Sequence, residues 1–188
     1  MAKKSTRNTR GRIVSAAWKL FYEQGYEDTT VEEIIELSGT SKGSFYHYFD
    51  GKDALLSTLS SLFDEKYEEL TGLLTPEMTA MEQLLFLNRE LFHMIEDSIS
   101  LDLLARLYST QLTTNGEKHL LDHNRIYYKL LRKIIAKGQA EGQLSSRSNV
   151  NEMVKLYALC ERALLYDWCL CAGEYALTEY SAKVLPGF

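Results

Sequence analysis

Proline occurs only twice in 188 residues, at Pro76 and Pro186, so almost nothing in the chain forbids long uninterrupted helices. Across the stretches those prolines leave open, apolar residues return every third or fourth position, the spacing that lines one face of an α-helix. No strand-like alternation, internal repeat or low-complexity segment competes with that pattern. The expected fold is all-α. At 45% hydrophobic residues the chain can bury a real core, yet it is too short for two large independent domains.

The first patterned segment, 10–24, carries Ile13, Ala16, Ala17, Leu20 and Phe21 on one stripe, with Thr9 placed to cap it. Gly25 follows where a helix end favours positive φ. Thr30 and Glu33 have the spacing of a capping box, which opens a second helix with Val31, Ile34 and Ile35 on its apolar face. Gly39 ends that helix, and Ser41 caps a third, very short one running to about Phe49. Two short helices joined by a glycine-containing turn have the layout of a helix-turn-helix. Asp50 is expected to cap a fourth helix over 52–74, a rod striped by Leu55, Leu56, Leu59, Leu62, Phe63, Leu70 and Leu73. Pro76 suits the first position of the next helix. Further helices are expected at about 77–98, 100–113, 117–141, 149–173 and 177–185, punctuated by Asn115–Gly116, Gly142 and Ser145–Ser148. The organisation is thus a three-helix N-terminal domain, 1–51, and a larger helical domain, 52–188.

Net charge is −5, but residues 1–52 sum to +1 and the remainder to −6. Six of the cations in the first part, Lys3, Lys4, Arg7, Arg10, Arg12 and Lys19, crowd its start. One end is therefore suited to an anionic polymer while the body is not. The segment from Ser41 to Phe49 sharpens that suggestion. At 100° per residue, Phe45 and Phe49 share an inward face, which leaves Gly43 and His47 on the opposite face, flanked by Ser44 and Tyr46. A hydroxyl, an imidazole, a phenol and a bare backbone patch suit a DNA major groove better than they suit water. Tyr46 can lie on a thymine methyl or reach a phosphate, and Ser44 can bond a base edge. Lys42 adds a cation at a helix N-terminus that already favours phosphate. Thr30, Tyr48 and Lys52 are further phosphate candidates, with the Lys3–Arg12 arm beside them. The competing structural explanation is a short aromatic helix packed on a neighbour.

The same residues resemble the TetR family of regulators. The resemblance runs from about Arg10 to Leu56, through Phe21-Tyr22-Glu23-Gln24-Gly25-Tyr26, Thr29-Thr30-Val31-Glu32-Glu33-Ile34, Ser38 to Phe49 and Lys52-Asp53-Ala54-Leu55-Leu56. It implies that Thr30, Ser41, Lys42, Gly43, Ser44, Tyr46, His47, Tyr48 and Lys52 touch double-stranded DNA. Thr40 and the pair Asp50-Gly51 depart from the family pattern, and the acid at Asp50 weakens one phosphate contact. The resemblance further implies a homodimer joined by the last two long helices, roughly 149–185. The segment from Met153 to Cys171 fits that role because it is apolar around most of its circumference and must be covered on more than one side. It also implies a repressor released from a palindromic operator by a small-molecule effector bound between the middle helices. An activator with the same reading head remains the alternative. Candidate pocket residues are Phe86, His93, Met94, Tyr108, Gln111, Tyr127, Tyr128 and Trp168, which combine apolar bulk with polar tips. Side chains of these types also build ordinary cores.

Other chemistries find little support. His119 and His123 have i, i+4 spacing but no evident third ligand, so neither a metal nor another cofactor is expected. Cys160, Cys169 and Cys171 are odd in number and late in the chain, and are read as small apolar residues rather than a disulfide framework. No Ser/His/Asp set, phosphate loop or paired carboxylates can be assembled for an enzyme. No run of about 18 apolar residues spans a membrane and no secretory signal opens the chain, so a cytoplasmic location is expected.

Overall fold

The computed structural model describes residues 2–113 and 118–187, with the side chains of the first helix described from Thr9 onward. The described residues form α1 (Ala2–Gln24), α2 (Val31–Ser38), α3 (Lys42–Tyr48), α4 (Lys52–Leu56), α5 (Leu59–Thr71), α6 (Ala80–Ser98), α7 (Leu101–Thr113), α8 (Ile126–Ala140), α9 (Val150–Leu170) and α10 (Leu177–Val184). The fold is all-α, as the spacing of apolar residues requires.

Two compact units emerge. The first holds the described residues through Ser60 and takes in α7 from Asp102 onward; the second holds Ser61–Leu101 and the chain after α7. Ile13, Ala17, Phe21, Ile34, Phe45, Leu55 and Leu56 are all but inaccessible and form the core of the first unit. The second is built on Leu84, Leu87, Phe92, Ile95, Leu131, Ile135, Val154, Tyr157 and Leu177. Helix α10 has no cap of its own. Glu96 of α6 supplies one by accepting from the Leu177 and Thr178 amides at 2.6 and 3.2 Å.

Several boundaries differ from the sequence expectation, each for a local reason. Helix α1 continues through Thr9, which therefore caps nothing. The 52–74 rod is two helices, because Ser57, Thr58 and Ser60 turn their hydroxyls back onto carbonyls three residues earlier at 2.6–2.7 Å. Those bonds compete with the helical ladder, and the Thr58 amide also reaches only to Leu55. Asp50 makes no cap; Gly51 stands at that position without a side-chain bond. Pro76 occupies the second position of a turn closed by the Met78 amide on the Thr75 carbonyl, and α6 starts later from a Thr79–Glu82 capping box.

The expected 117–141 helix breaks into a 3-10 turn, His119–Leu121, and α8. Asp122 Oδ1 accepts the Asn124 amide at 2.8 Å, an Asx turn that stops any helix from running through. His119 and His123 consequently share no helical face, and no group of three or more metal-ligating side chains exists among the described residues. The Asn115–Gly116 break lies outside the described residues. All three cysteines are half-buried rather than buried, because α9 turns part of its circumference outward. No helix among the described residues is long and apolar enough to cross a membrane.

Candidate nucleic-acid interface

Helix α2 begins at Thr30, whose hydroxyl accepts the Glu33 amide at 3.2 Å while the Glu33 carboxylate accepts the Thr30 amide at 2.8 Å. Those bonds hold the exposed Glu33 carboxyl below its ordinary range. Gly39 closes the helix at φ 59, a left-handed conformation that a side chain would strain. Arg12 completes the closure from α1, donating to the Ser38 carbonyl at 2.9 and 2.6 Å and to Gly39 O. The turn between α2 and α3 is thus fixed by a cation spent on backbone.

Ser41 then opens α3, accepting the Ser44 amide at 3.1 Å. Phe45 and Phe49 are buried on the inner face, whereas Lys42, Gly43, Tyr46 and His47 are exposed and Ser44 and Tyr48 half-buried. The expected division of the helix into a phenylalanine face and a polar aromatic face is present. A methyl group built on Gly43 would meet nothing closer than Ser41 Oγ at 4.0 Å, and the backbone there is ordinary helix. Nothing inside the protein demands a glycine, which costs roughly 1 kcal/mol against alanine in an exposed helix. Lys42 sits 3.4 Å from Glu32 and about over the Tyr46 ring, whose centroid is 6.0 Å away.

Lys52 departs from its expected role. Its ammonium donates to the carbonyls of Tyr26, Glu27 and Thr29 at 2.6, 3.2 and 2.8 Å, and lies 4.3 Å from the centre of the Tyr26 ring. An ammonium has three protons, so none is left for a phosphate. Burial, followed by its hydrogen bond to Asp53, pushes the Tyr26 phenol above its ordinary range. Arg106 of α7 closes the same cluster with ion pairs to Glu27 and Asp102. Lys52 and Arg106 therefore brace the loop before α2. The side chains of Lys3, Lys4 and Arg7 lie outside the described residues.

Of the candidate pocket residues, Tyr108 and Gln111 belong to α7 in the first unit; the other six lie in the second. Phe86 is half-buried at an open groove of about 600 Å³ beside Leu85 and Ala182, and Arg89 stacks over its ring at 5.6 Å. His93 faces solvent and pairs with Asp97 at 3.4 Å, while Met94 is half-buried. Buried Trp168 donates to the Tyr175 carbonyl at 2.9 Å. Tyr128 donates to Leu120 O and accepts from Arg162 at 3.1 Å. Tyr127 donates to Glu161 at 2.5 Å, in a buried polar cluster with Asn88 and Tyr157 that sequence reasoning missed. The available signal was Glu161 itself, a carboxylate four residues after Tyr157 on an otherwise apolar helix face.

The N-terminal unit and its outward-facing α3 define a helix-turn-helix protein. Residues 13–59 match the family described as bacterial regulatory proteins, tetR family. It is 34% identical over 68 residues to the HTH-type transcriptional regulator TtgR of Pseudomonas putida, an alignment covering 36% of this chain and 32% of TtgR. The chain spans about a third of the length of the curated relatives it matches first. Solved structures cover nearly all of it. The Thermus thermophilus FadR, a TetR-family transcriptional repressor in complex with lauroyl-CoA, superposes with a TM-score of 0.77 at 24% identity, covering 94% of this chain and 93% of that one. The Bacillus subtilis regulator FadR in complex with stearoyl-CoA gives 0.68 at 23%, with 94% and 96% covered. These likenesses establish the fold.

Proposed function

We propose that the protein is a dimeric, DNA-binding transcriptional regulator that represses by occupying a palindromic operator and is released by a small-molecule effector. The observation that carries the reading is α3, which buries Phe45 and Phe49 and presents Gly43, Ser44, Tyr46 and His47 outward. Tyr46 and Ser44 address base edges, while Ser41, Thr30, Tyr48 and Lys42 address phosphate oxygens. Lys52 acts from behind, by fixing the loop from which α2 starts.

Gel shifts with the DNA flanking its own gene test the reading. Specific retention should weaken steeply as salt rises, since each phosphate contact releases counterions. Absence of retention at low salt overturns it. Tyr46→Ala should weaken specific binding by about 1–3 kcal/mol without changing helicity. A folded variant that binds as tightly as wild type removes Tyr46 from the reading surface. Higher target expression in a deletion strain separates repressor from activator.

Pairing is assigned to α9 and α10. Leu156, Leu159, Tyr166 and Leu170 of α9 are 51%, 53%, 50% and 66% exposed and, with the exposed Ala163 between them, form a stripe at 3–4 residue spacing, while Val154, Tyr157 and Leu164 of the same helix are buried. The helix thus has one face for its own unit and another for a second copy. The relatives' acyl-CoA ligands make a long-chain amphiphile the first effector class to test against the C-terminal unit.

A further inference from the structure

The chain leaves the first unit after Ser60 and re-enters it as α7, from Asp102 onward. The point of attachment is Arg106. Its guanidinium is ion-paired with Glu27, in the loop between α1 and α2, and its Nε donates to the two Asp102 oxygens, one helical turn earlier, at 3.0 and 2.9 Å. The same group lies 5.0 Å from the centre of the Tyr26 ring. Tyr26 is buried, its hydroxyl donates to Asp53, and the Lys52 ammonium stands 4.3 Å from its ring centre. Asp102 and the Tyr26 ring therefore hold the guanidinium in place before it meets Glu27, which lowers the entropy cost of that pairing. Arg106 is 32% exposed at the side chain and Glu27 is 68% exposed. A pair so open to water adds little to folding stability. What it can do is fix where residue 27 sits.

That position matters because Thr30, three residues on, caps α2, and α2 leads into α3 through the Gly39 turn. Lys52 holds the backbone of this loop from the α4 side, through the carbonyls of Tyr26, Glu27 and Thr29. Arg106 holds the Glu27 side chain from the α7 side. A reading surface has to be kept within about 0.5 Å of its productive geometry by the residues behind it. The path of residues 25–30 therefore passes directly into the placement of α2 and α3.

We propose that Arg106 is a positioning residue for operator recognition, acting through Glu27 and Tyr26 on the start of α2, and that α7 is thereby a working part of the reading unit. The proposal rests on the regulator reading above and adds a residue to it. One substitution separates positioning from a plain charge effect by sign. Glu27→Arg removes an acid and adds a cation to the DNA-binding unit, so by field alone it tightens DNA binding. By positioning it weakens specific binding, because it sets two guanidinium groups against each other and releases the loop.

Fluorescence anisotropy with the full chain tests this, using the duplex that footprinting maps in the DNA flanking its gene and a scrambled duplex of equal length. The measured quantity is the ratio of the two affinities. Arg106→Glu and Glu27→Arg should each lower that ratio by about tenfold, although they shift the net charge in opposite directions. The double variant Arg106→Glu/Glu27→Arg keeps the wild-type charge and again sets one guanidinium between two carboxylates, so its ratio should return to within about threefold of wild type. Partial unfolding would weaken both duplexes alike and leave the ratio unchanged. A Glu27→Arg protein with an unchanged or higher ratio overturns the proposal, and so does a double variant that recovers nothing. If Arg106→Glu fails to fold, Arg106→Gln takes its place and Glu27→Arg still decides by its sign. A wild-type protein that protects no segment of that DNA overturns the regulator reading itself. Protection by wild type with every variant at the wild-type ratio leaves the regulator standing and rejects only the role of Arg106.

Discussion

The cations of the first unit divide by what they already hold. Arg12 and Lys52 are committed to backbone carbonyls, so their charge fixes turns and adds little to a DNA-facing field. Lys42 pairs with the exposed Glu32, an interaction worth a few tenths of a kcal/mol to about 1. A phosphate would have to draw Lys42 away from that carboxylate. Glu32→Gln should therefore tighten DNA binding by about two- to fivefold and steepen its salt dependence. Gel shifts at three salt concentrations check it, and an unchanged slope would show that Lys42 meets no phosphate. Glu161 makes a residue-scale prediction of a different kind. Its folded-state pKa is raised above the ordinary 4.5, so over the interval between the two the unfolded chain ionises while the folded one stays neutral. Its contribution is complete below 4.5 and is lost as pH rises toward the folded value. Urea unfolding at pH 5, 6, 7 and 8 should show wild type losing stability relative to Glu161→Gln, and parallel curves would reject a neutral buried acid.

Helix α8 crosses the start of α6 at Gly138, where an added Cβ would stand 2.5 Å from Ala80 Cβ and 2.9 Å from the Leu144 side chain. Helix propensity favours alanine there by about 1 kcal/mol, but overpacking costs about 1–3 kcal/mol. The Ala80 contact cannot relax by rotating a side chain, so the clash wins. Gly138→Ala should destabilise by about 1 kcal/mol or more, and adding Ala80→Gly should restore part of the loss. Chemical denaturation of the two variants checks both statements. Nothing in the sequence around Gly138 announced this crossing, because the contact joins residues 58 positions apart. What was legible was local. The Thr30–Glu33 box, the Gly39 closure and the Ser41 cap each follow from bonds within four residues, and so does the outward turn of Gly43 and His47. The Thr79–Glu82 box was equally local and was obscured by Pro76, which closes a turn instead of opening a helix. The break at Ser57–Thr58 was hidden because a leucine stripe continues through it; only the hydroxyl-rich run argued otherwise. Long-range polar bonds were beyond reach. Arg12 on Ser38, Lys52 on Tyr26, Glu96 on Leu177 and Asn88 on Glu161 each join residues far apart in the chain, which no periodicity can pair.

A seven-residue reading helix can address only a few base pairs, so useful operator specificity requires two of them at a fixed separation. In the proposed reading, that requirement falls on the second unit. Along α9 the outward stripe is nearly symmetric about Ala163: Leu156 and Leu170 lie seven residues to either side, Leu159 four before and Tyr166 three after. A second α9 crossing antiparallel at Ala163 would set leucine on leucine at the ends and admit close approach at the small central residue, as an isologous contact requires. Fully burying a leucine contributes about 1.5–3 kcal/mol, and these side chains are already half-covered. Four from each copy therefore contribute about 6–12 kcal/mol, of the same size as the association cost of about 4–15 kcal/mol. Tyr180 and Val184 of α10, both exposed, must join them for a tight pair. A margin this small makes the pair sensitive to one charge. Leu159→Glu places a carboxylate from each copy beside the crossing, where neither finds a cation. The variant should sediment at the monomer mass of 21.6 kDa and retain wild-type helicity. Its operator affinity should fall by two orders of magnitude or so, the loss of a second reading head at about 2–3 kcal/mol. A dimeric Leu159→Glu protein would move the pairing surface off α9, and a monomeric variant that still grips the palindrome at full strength would show that one head suffices.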